Sequence, residues 1–290
     1  MKLQRRVVVT GLGLVSPIGN DVNSSWSACS NGISGITTFD NKIENSPVTI
    51  GGRVKDLDLS SYLDPKDSRR LDAFIQYGVI AASQAINDSG FLDSATDLNR
   101  VGVNFGSGIG GIETIENNHK LFLEKGYRKV SPFFVPGSII NMTSGFISIK
   151  FGLRGSNMST VTACSSGSHS IGLAARSIAY GESDVMVAGG SEMASTPLAI
   201  SGFIAARALS TAKDPQTASR PWDIDRDGFV LSDGAGALIL EELDHAIKRK
   251  ATIYGEVIGF GMSSDAFHMT APPENGEGAA LSMTNAIDDA

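Results

Sequence analysis

The residues best suited to chemistry lie between Ser159 and Ser168, where Cys164 is surrounded by serine, threonine, alanine and glycine. A short β-type run leads into this stretch, and the residues after it have the spacing of a helix. We therefore predict that Cys164 lies in the first turn of that helix. Unpaired backbone N–H groups and the positive end of the helix dipole meet there, and both favour the nucleophilic thiolate.

The helix after Cys164 is marked by small and apolar side chains at 3.6-residue spacing, which are Ile171, Ala174, Ala175, Ile178 and Ala179. Gly181 is expected to end it. The small neighbours of Cys164 leave room for a substrate carbonyl. The alternative is a buried structural cysteine, and we assign that role to Cys29, on a helix over 21–30 where Val22, Trp26 and Cys29 share a face.

Composition narrows the function classes. The chain has 290 residues, 41% of them hydrophobic and 19% charged, as in globular proteins, and its net charge of −7 argues against general nucleic-acid binding. Two cysteines make no disulfide framework and fit a reducing cytosol. No apolar stretch approaches the roughly 20 residues that span a bilayer. We expect a cytoplasmic, soluble protein that does not bind membranes.

Strands and helices alternate along the chain. Strands are expected at 6–10, 100–105, 184–188, 235–241 and 252–260, and helices at 21–30, 71–86, 139–151 and 243–250. Gly11 and Gly13 are interpreted as the turn after the first strand, and the strand at 184–188 is expected to end in Gly189 and Gly190. Because several strands are apolar throughout, the pattern predicts an α/β fold with a parallel sheet covered on both faces.

Two further motifs imitate ligand sites. Gly106, Gly108 and Gly111 match G-x-G-x-x-G, but no second strand ends in a ribose-binding acid, so a loop that lets backbone approach closely is the better interpretation. Residues 223–228 imitate an EF-hand loop, yet Gly234 stands where the bidentate glutamate is required. We predict neither a cofactor nor a metal.

The opening pattern begins again near residue 252, where a strand, Gly261, a polar loop and a helix starting near Gly276 follow one another. We therefore expect two units, residues 1–251 and residues 252–290. The second unit is expected to be cut off at Ala290, since no helix stop signal stands there. Its open edges and exposed apolar surface predict poor solubility for a polypeptide that ends at Ala290.

Several stretches together carry a family resemblance: VVVTGLGLVSPIGN at the start, NFGSGIGG at 104–111, FFVPGSIINMTSG at 133–145, TACSSGSHSIG at 162–172, RPWDIDRDGFVLSDGAG at 220–236 and SSDAFHMTAPP at 263–273. In this order and spacing the chain resembles the elongating, type II β-ketoacyl-acyl-carrier-protein synthases of fatty-acid biosynthesis. The resemblance implies a thiolase-like fold, with the N-terminal half complete and the C-terminal half truncated, and a homodimer.

The resemblance also implies roles. Cys164 would accept an acyl chain from acyl carrier protein, and malonyl carrier protein would then lose CO2 and attack the acyl thioester. Ile109 would line the acyl pocket and Phe203 would lie near its base. Six basic residues match the positions at which the family binds its acidic carrier protein, and these are Lys66, Arg69, Arg70, Arg128, Lys129 and Arg207.

One part of the family's site falls beyond Ala290, namely a histidine pair, a lysine and a glycine-rich loop that completes the oxyanion hole. The four histidines present do not replace them. His169 points about 140° away from Cys164 around the helix, and we expect His119 and His245 to be exposed. His268 is the only one that could approach the site, where it would be structural or line the entrance. This chain alone is therefore expected to be inactive in condensation.

Two other readings stay open. One is a non-catalytic partner like the chain-length factors of polyketide synthases, although such proteins typically lack the active-site cysteine that is present here as Cys164. The other is a type I or polyketide ketosynthase, which the sequence separates poorly from type II. The preferred acyl chain length also stays open.

Overall fold

The computed structural model describes residues 5–39 and 43–290 as a six-stranded sheet, a two-stranded ribbon and ten α-helices. The strands are β1 (Val7–Val15), β2 (Thr37–Thr38), β3 (Ile50–Gly51), β4 (Val101–Gly106), β5 (Asn157–Met158), β6 (Val185–Glu192), β7 (Gly234–Glu242) and β8 (Gly255–Val257). The helices are α1 (Val22–Ser30), α2 (Pro65–Ser68), α3 (Ala73–Ser89), α4 (Ile112–Lys125), α5 (Phe134–Ser138), α6 (Met142–Phe151), α7 (Ser166–Ala179), α8 (Pro197–Ala205), α9 (Leu243–Lys248) and α10 (Glu277–Asp289).

The large sheet has the order β5-β4-β6-β7-β1-β8 and is mixed. Strand β4 pairs in parallel with β5 and β6, whereas β7 runs antiparallel to β6 and to β1. The predicted wholly parallel sheet is therefore wrong for its second half. The apolar runs that suggested it come from burial on both faces, and a mixed sheet covered by helices produces the same pattern.

Helices cover both faces of this sheet. On one face α3 and α6 pack on β4, β6 and β7, around the fully buried side chains of Phe74, Ile75 and Phe105. On the other face α7 buries Ala174, Ile178 and Ala179 against β6. The predicted stripe of α7 is confirmed, and so is the stop at Gly181, which has a φ of 81°. The sequence pattern thus placed the helix after Cys164 correctly.

The glycines of β1 do not form a turn, contrary to the sequence-based expectation. Gly11 and Gly13 lie inside the strand, under α3. A Cβ atom on Gly11 would lie 2.2 Å from the carbonyl oxygen of Ala85, and one on Gly13 would lie 1.9 Å from that of Ala81. These glycines therefore allow α3 to approach the strand closely. The strand expected to end in Gly189 and Gly190 continues two residues further, to Glu192 in β6.

Helix α1 begins after its N-cap Asp21 as predicted, but its buried side was assigned wrongly. Ser25 and Ala28 are the buried residues, while Trp26 is 70% exposed and Cys29 is exposed. The apolar stripe of Val22, Trp26 and Cys29 instead lines an open groove with Pro17 and Ile36. Hydrophobic spacing identified the helix correctly, but it did not identify the side of the helix that packs against the core.

A buried ion-pair network joins β1, β7 and α9. The Glu241 carboxylate has no exposed surface and accepts hydrogen bonds from Arg249 at 2.6 Å and from the Thr10 hydroxyl at 2.8 Å. Its other close partner is His245 Nδ1, at 2.5 Å. Burial alone would raise the pKa of Glu241, but the hydrogen bonds outweigh it and the pKa is lowered. The expectation that His245 is exposed is therefore wrong, since its side chain is 23% accessible.

Residues beyond 251 continue the same sheet. The expected strand over 252–260 is shortened to β8, which pairs antiparallel with β1, and α10 follows its N-cap Gly276 as expected. The boundary at residue 251 stays a prediction. None of the helices in residues 5–39 and 43–290 combines the length and apolar composition needed to cross a membrane.

Asp184, just before β6, joins three parts of the chain through its carboxylate. Arg100 donates to it at 2.6 Å and Arg5 at 2.8 Å. The Arg100 hydrogen bond, with that of Arg5 and the two positive charges, outweighs partial burial and lowers the pKa of Asp184 from 3.8 to about 2.

We predict that Asp184 contributes stability that depends on pH. Because its folded pKa is the lower one, the contribution is fully present above the unfolded pKa of 3.8 and is lost as the pH falls through about 2. Urea denaturation of the wild type at neutral pH and at a pH of about 2 should show that the Asp184 contribution to the free energy of unfolding falls by on the order of 2 kcal/mol. The Asp184→Asn variant should lack this pH-dependent component, whereas Asp93→Asn, at an exposed site, should keep it. The same pH dependence of the free energy of unfolding in all three proteins would contradict the assignment.

Candidate active site

Cys164 lies at the start of α7 but not inside it. It occupies a 3-10 turn, Ala163–Ser165, directly before the first helical residue Ser166, and it is exposed. The expected β-type run is also displaced, because β5 ends at Met158 and residues 159–162 are irregular. The prediction of a cysteine in the first helical turn is thus wrong by one short turn, although the helix N-terminus still stands directly behind it.

The backbone around Cys164 has an uncommon conformation. Ala163 has a φ of 51°, in the left-handed region that residues other than glycine rarely adopt. The buried Ser166 hydroxyl closes this turn, since it accepts a hydrogen bond from the Thr162 N–H at 2.9 Å and donates to the Ala163 carbonyl at 2.7 Å. We refer to residues 162–166 as the nucleophile turn. A non-glycine left-handed residue costs on the order of 1 kcal/mol, and such residues cluster at functional sites.

Glycines bring the nucleophile turn close to the sheet. A Cβ atom on Gly106, at the end of β4, would lie 2.7 Å from the Thr160 oxygen and 2.8 Å from the Ser166 oxygen. One on Gly190 in β6 would lie 2.9 Å from the Cα of Gly167. The neighbouring ends of β4 and β6 therefore support the start of α7, and they fix the height of Cys164 above the sheet.

Polar side chains of β4 hold the segments on either side of Cys164. The fully buried Asn104 side chain donates to the Ser170 carbonyl at 3.3 Å and accepts from the Thr160 hydroxyl at 3.3 Å. The Ser159 hydroxyl donates to the Phe105 carbonyl at 2.8 Å. Sequence reasoning did not identify Asn104 or Ser166. In the sequence Asn104 is only a polar residue in an otherwise apolar strand, and Ser166 is only one serine in a run of small residues.

The glycine loop (residues 106–111) borders the nucleophile turn. A Cβ atom on Gly108 would lie 3.2 Å from the Ala163 carbonyl oxygen, and one on Gly111 would lie 2.4 Å from that of Gly137 in α5. The expectation that these glycines allow close backbone approach is therefore confirmed.

Ile109, at the tip of the loop, is 37% exposed beside the nucleophile turn. Phe203 belongs to α8 and packs its ring edge-on against Phe229, with centroids 5.4 Å apart, so its expected place at the base of a pocket stays a prediction.

The six basic residues expected to bind a carrier protein are all exposed. Lys66, Arg69 and Arg70 lie on α2 and just after it, and the Arg70 guanidinium stacks over the Phe133 ring at 4.5 Å. Arg128 and Lys129 form a 3-10 turn after α4. Both groups therefore flank the segment that leads into α5. Arg207 lies at the end of α8, apart from them along the chain, with a φ of 54°.

The histidines are placed elsewhere. His169 Nδ1 is 2.7 Å from the Thr162 hydroxyl and its ring lies edge-on to Phe260, so it braces the nucleophile turn from outside. His119 is exposed, as expected. His268 accepts hydrogen bonds from the Thr270 and Ala271 N–H groups at 3.1 Å, which caps its own loop.

A sequence model described as the N-terminal domain of beta-ketoacyl synthases matches residues 4–246. The chain belongs to the β-ketoacyl synthase family. It is 56% identical to the 3-oxoacyl-[acyl-carrier-protein] synthase 2 of Vibrio cholerae, over 99% of this chain and 70% of that protein.

Solved structures of the family share the fold. A β-ketoacyl synthase from Burkholderia phymatum superposes with a TM-score of 0.89 at 32% identity, over 98% of this chain and 70% of that one. A type II polyketide ketosynthase in complex with its acyl-carrier protein gives a TM-score of 0.85 at 31% identity, over 99% and 70%. The predicted thiolase-like α/β fold is thereby confirmed, and the fatty-acid relatives are the more similar in sequence.

We predict that Ser166 sets the reactivity of Cys164 through the nucleophile turn. Ser166→Ala removes both hydrogen bonds that hold Ala163 in its left-handed conformation, so acyl transfer from an octanoyl thioester to Cys164 should slow by about tenfold. Ser165→Ala is the matched control, because that neighbouring side chain is exposed and makes no capping hydrogen bond. Equal rates for the two variants, followed by intact-protein mass, would contradict the role of Ser166.

Proposed function

We propose that this chain is a 3-oxoacyl-acyl-carrier-protein synthase of fatty-acid biosynthesis, in which Cys164 accepts the acyl chain. The observation that carries the proposal is an exposed cysteine on a left-handed turn at the N-terminus of a helix, inside a chain 56% identical to a synthase of that name. A nucleophile presented in this way is typical of covalent acyl transfer.

The first step is a thioester exchange. The Cys164 sulfur attacks the carbonyl carbon of the incoming thioester, and the carbon–sulfur bond to the carrier breaks, so the carrier leaves as a free thiol with a proton. The N-terminus of α7, directly behind Cys164, favours the developing oxyanion, because this end of the helix dipole is positive. The backbone N–H of Cys164 supplies one donor of an oxyanion hole.

The second step joins this acyl group to malonyl carrier protein. Loss of CO2 leaves a carbanion that attacks the carbonyl carbon of the acyl thioester. The bond from this carbon to the Cys164 sulfur breaks, the thiolate is released, and the carrier keeps a 3-oxoacyl chain that is two carbons longer than the acyl chain. The resemblance assigns decarboxylation to paired histidines in the part of the relatives outside the 70% that this chain covers. Of the four histidines in residues 1–290, His169 is bonded to Thr162, His245 to Glu241 and His268 to its own loop, and His119 is exposed on α4.

The acyl donor is proposed to be an acidic carrier protein that docks on the basic residues flanking α5. Support comes from the exposed Lys66, Arg69, Arg128 and Lys129 and from Arg70 on Phe133. Backbone contacts lead from there toward Cys164, since Gly137 lies against the Arg70 carbonyl, and Gly111 against Gly137. A locally basic surface on a protein of net charge −7 suits such a partner.

A homodimer is proposed from the apolar surface of α4 and the turn after it, where Phe122, Leu123 and Tyr127 are 48%, 68% and 72% exposed. A cytoplasmic location is proposed because Cys29 and Cys164 are both free thiols.

The alternative of a non-catalytic partner subunit is disfavoured by the same cysteine. Such a subunit has no use for a thiol held on a strained turn, whereas here Ser166 and Asn104 fix the backbone on both sides of it. The polyketide alternative is disfavoured by identity, which is 56% to the fatty-acid relative and 31% to the polyketide ketosynthase.

The test is acylation of the purified protein by octanoyl-acyl-carrier-protein, followed by intact-protein mass. We expect a gain of one octanoyl group in the wild type and in Cys29→Ala, and none in Cys164→Ala. A gain that survives Cys164→Ala, or no gain in any variant, would refute the assignment of the nucleophile. A polypeptide of residues 1–290 alone is expected to take up the acyl group without forming the 3-oxoacyl product.

A further inference from the structure

The glycine loop is held by a single carboxylate from another strand. Glu192 is the last residue of β6 and is half-buried. Its Oε2 accepts the N–H groups of Gly108 at 2.7 Å and Ile109 at 3.0 Å. Its Oε1 accepts the Ser107 hydroxyl at 2.9 Å and the Gly110 N–H at 3.2 Å. Four donors of one short loop thus converge on one side chain.

The position of Glu192 follows from the sheet. Strands β4 and β6 pair in parallel, with Gly106 opposite Gly190, so the loop that leaves β4 passes over the end of β6. Residues 190 and 192 point to the same face, and Gly190 there lies against Gly167 of α7. Glu192 therefore stands on the face of the sheet that carries the nucleophile turn.

Apart from the carboxylate, the loop is held mainly at its end, where the Gly111 N–H donates to the Ser138 carbonyl at 3.1 Å. Gly108 and Gly110 carry no side chains, and Gly110 has a φ of 79°. Loop residues of this kind are mobile unless their backbone N–H groups find acceptors. The Ser107 hydroxyl offers one, to the Gly110 N–H at 3.1 Å, but it depends on Glu192 for its own orientation.

We propose that Glu192 is a positioning residue for the acyl-accepting site. By holding Gly108 against the Ala163 carbonyl it fixes the glycine loop beside the nucleophile turn. Because the resemblance implies that Ile109 of this loop lines the acyl pocket, Glu192 thereby influences which chain lengths are accepted. The proposal rests on the proposed function for its acyl substrate, whereas the anchoring of the loop is independent of it.

The experiment compares the Glu192→Gln variant with the wild-type protein. Glutamine keeps the length of the side chain but turns one acceptor oxygen into an NH2 group, so two loop donors face a donor. Hydrogen exchange at the 108–110 amides should become faster by about tenfold. Acylation of Cys164 should slow, and the ratio of octanoyl to palmitoyl transfer rates should move toward one by about threefold or more.

Two controls separate positioning from loss of stability. Glu242→Gln removes the carboxylate that caps α9 by accepting the His245 N–H at 2.8 Å, far from the loop, and should leave both readouts unchanged. Glu192→Asp keeps the charge and should restore part of the exchange protection; it also replaces the glutamine variant if that variant fails to fold.

Wild-type exchange rates at 108–110 and a wild-type chain-length ratio in Glu192→Gln would overturn the proposal. If the wild type itself takes up no acyl group, the proposed function fails instead, and the exchange measurement alone still decides whether Glu192 anchors the loop.

Discussion

The site depends on how closely the start of α7 approaches the ends of β4 and β6. Gly106 and Gly190 carry no side chains that would keep helix and sheet apart, and a Cβ atom on either would lie under 3 Å from an atom of the segment that it faces. Helix-on-sheet packing normally needs side chains between the layers. Their absence here places the exposed thiol, the helix N-terminus and the glycine loop at one edge of the sheet.

Hydrogen bonds then fix what the close approach allows. Ser166 holds Ala163 in its left-handed conformation, Asn104 ties the flanking segments to β4, and Glu192 gathers the N–H groups of the glycine loop. Each of these hydrogen bonds pairs a polar group that burial removes from water, and a buried polar group left unpaired destabilises the fold. The arrangement is therefore rigid around Cys164, as covalent catalysis requires, since a nucleophile must be held near its productive geometry.

The sequence predicted the elements better than their contacts. The helix after Cys164, its apolar stripe and the stop at Gly181 follow from local sequence, because periodicity and glycine placement determine them. The turn predicted at Gly11 and Gly13 is wrong, because sequence alone does not distinguish a glycine needed for a close approach from one needed for a bend. The outward side of α1 and the half-buried His245 depend on which face of each helix turns to the core, and no local pattern records that. The role of Glu192 depends on Gly108, which lies 84 residues away in the chain.

The two free cysteines provide a direct test within one molecule. Cys164 stands at the N-terminus of α7, where the helix dipole favours a negative charge, whereas the exposed Cys29 lies at the C-terminal end of α1, where it does not. In brief treatment of the native protein with limiting iodoacetamide, quantified by peptide mass spectrometry, Cys164 should be alkylated at least about tenfold faster than Cys29. Equal rates, or faster alkylation of Cys29, would contradict the claim that this fold activates Cys164.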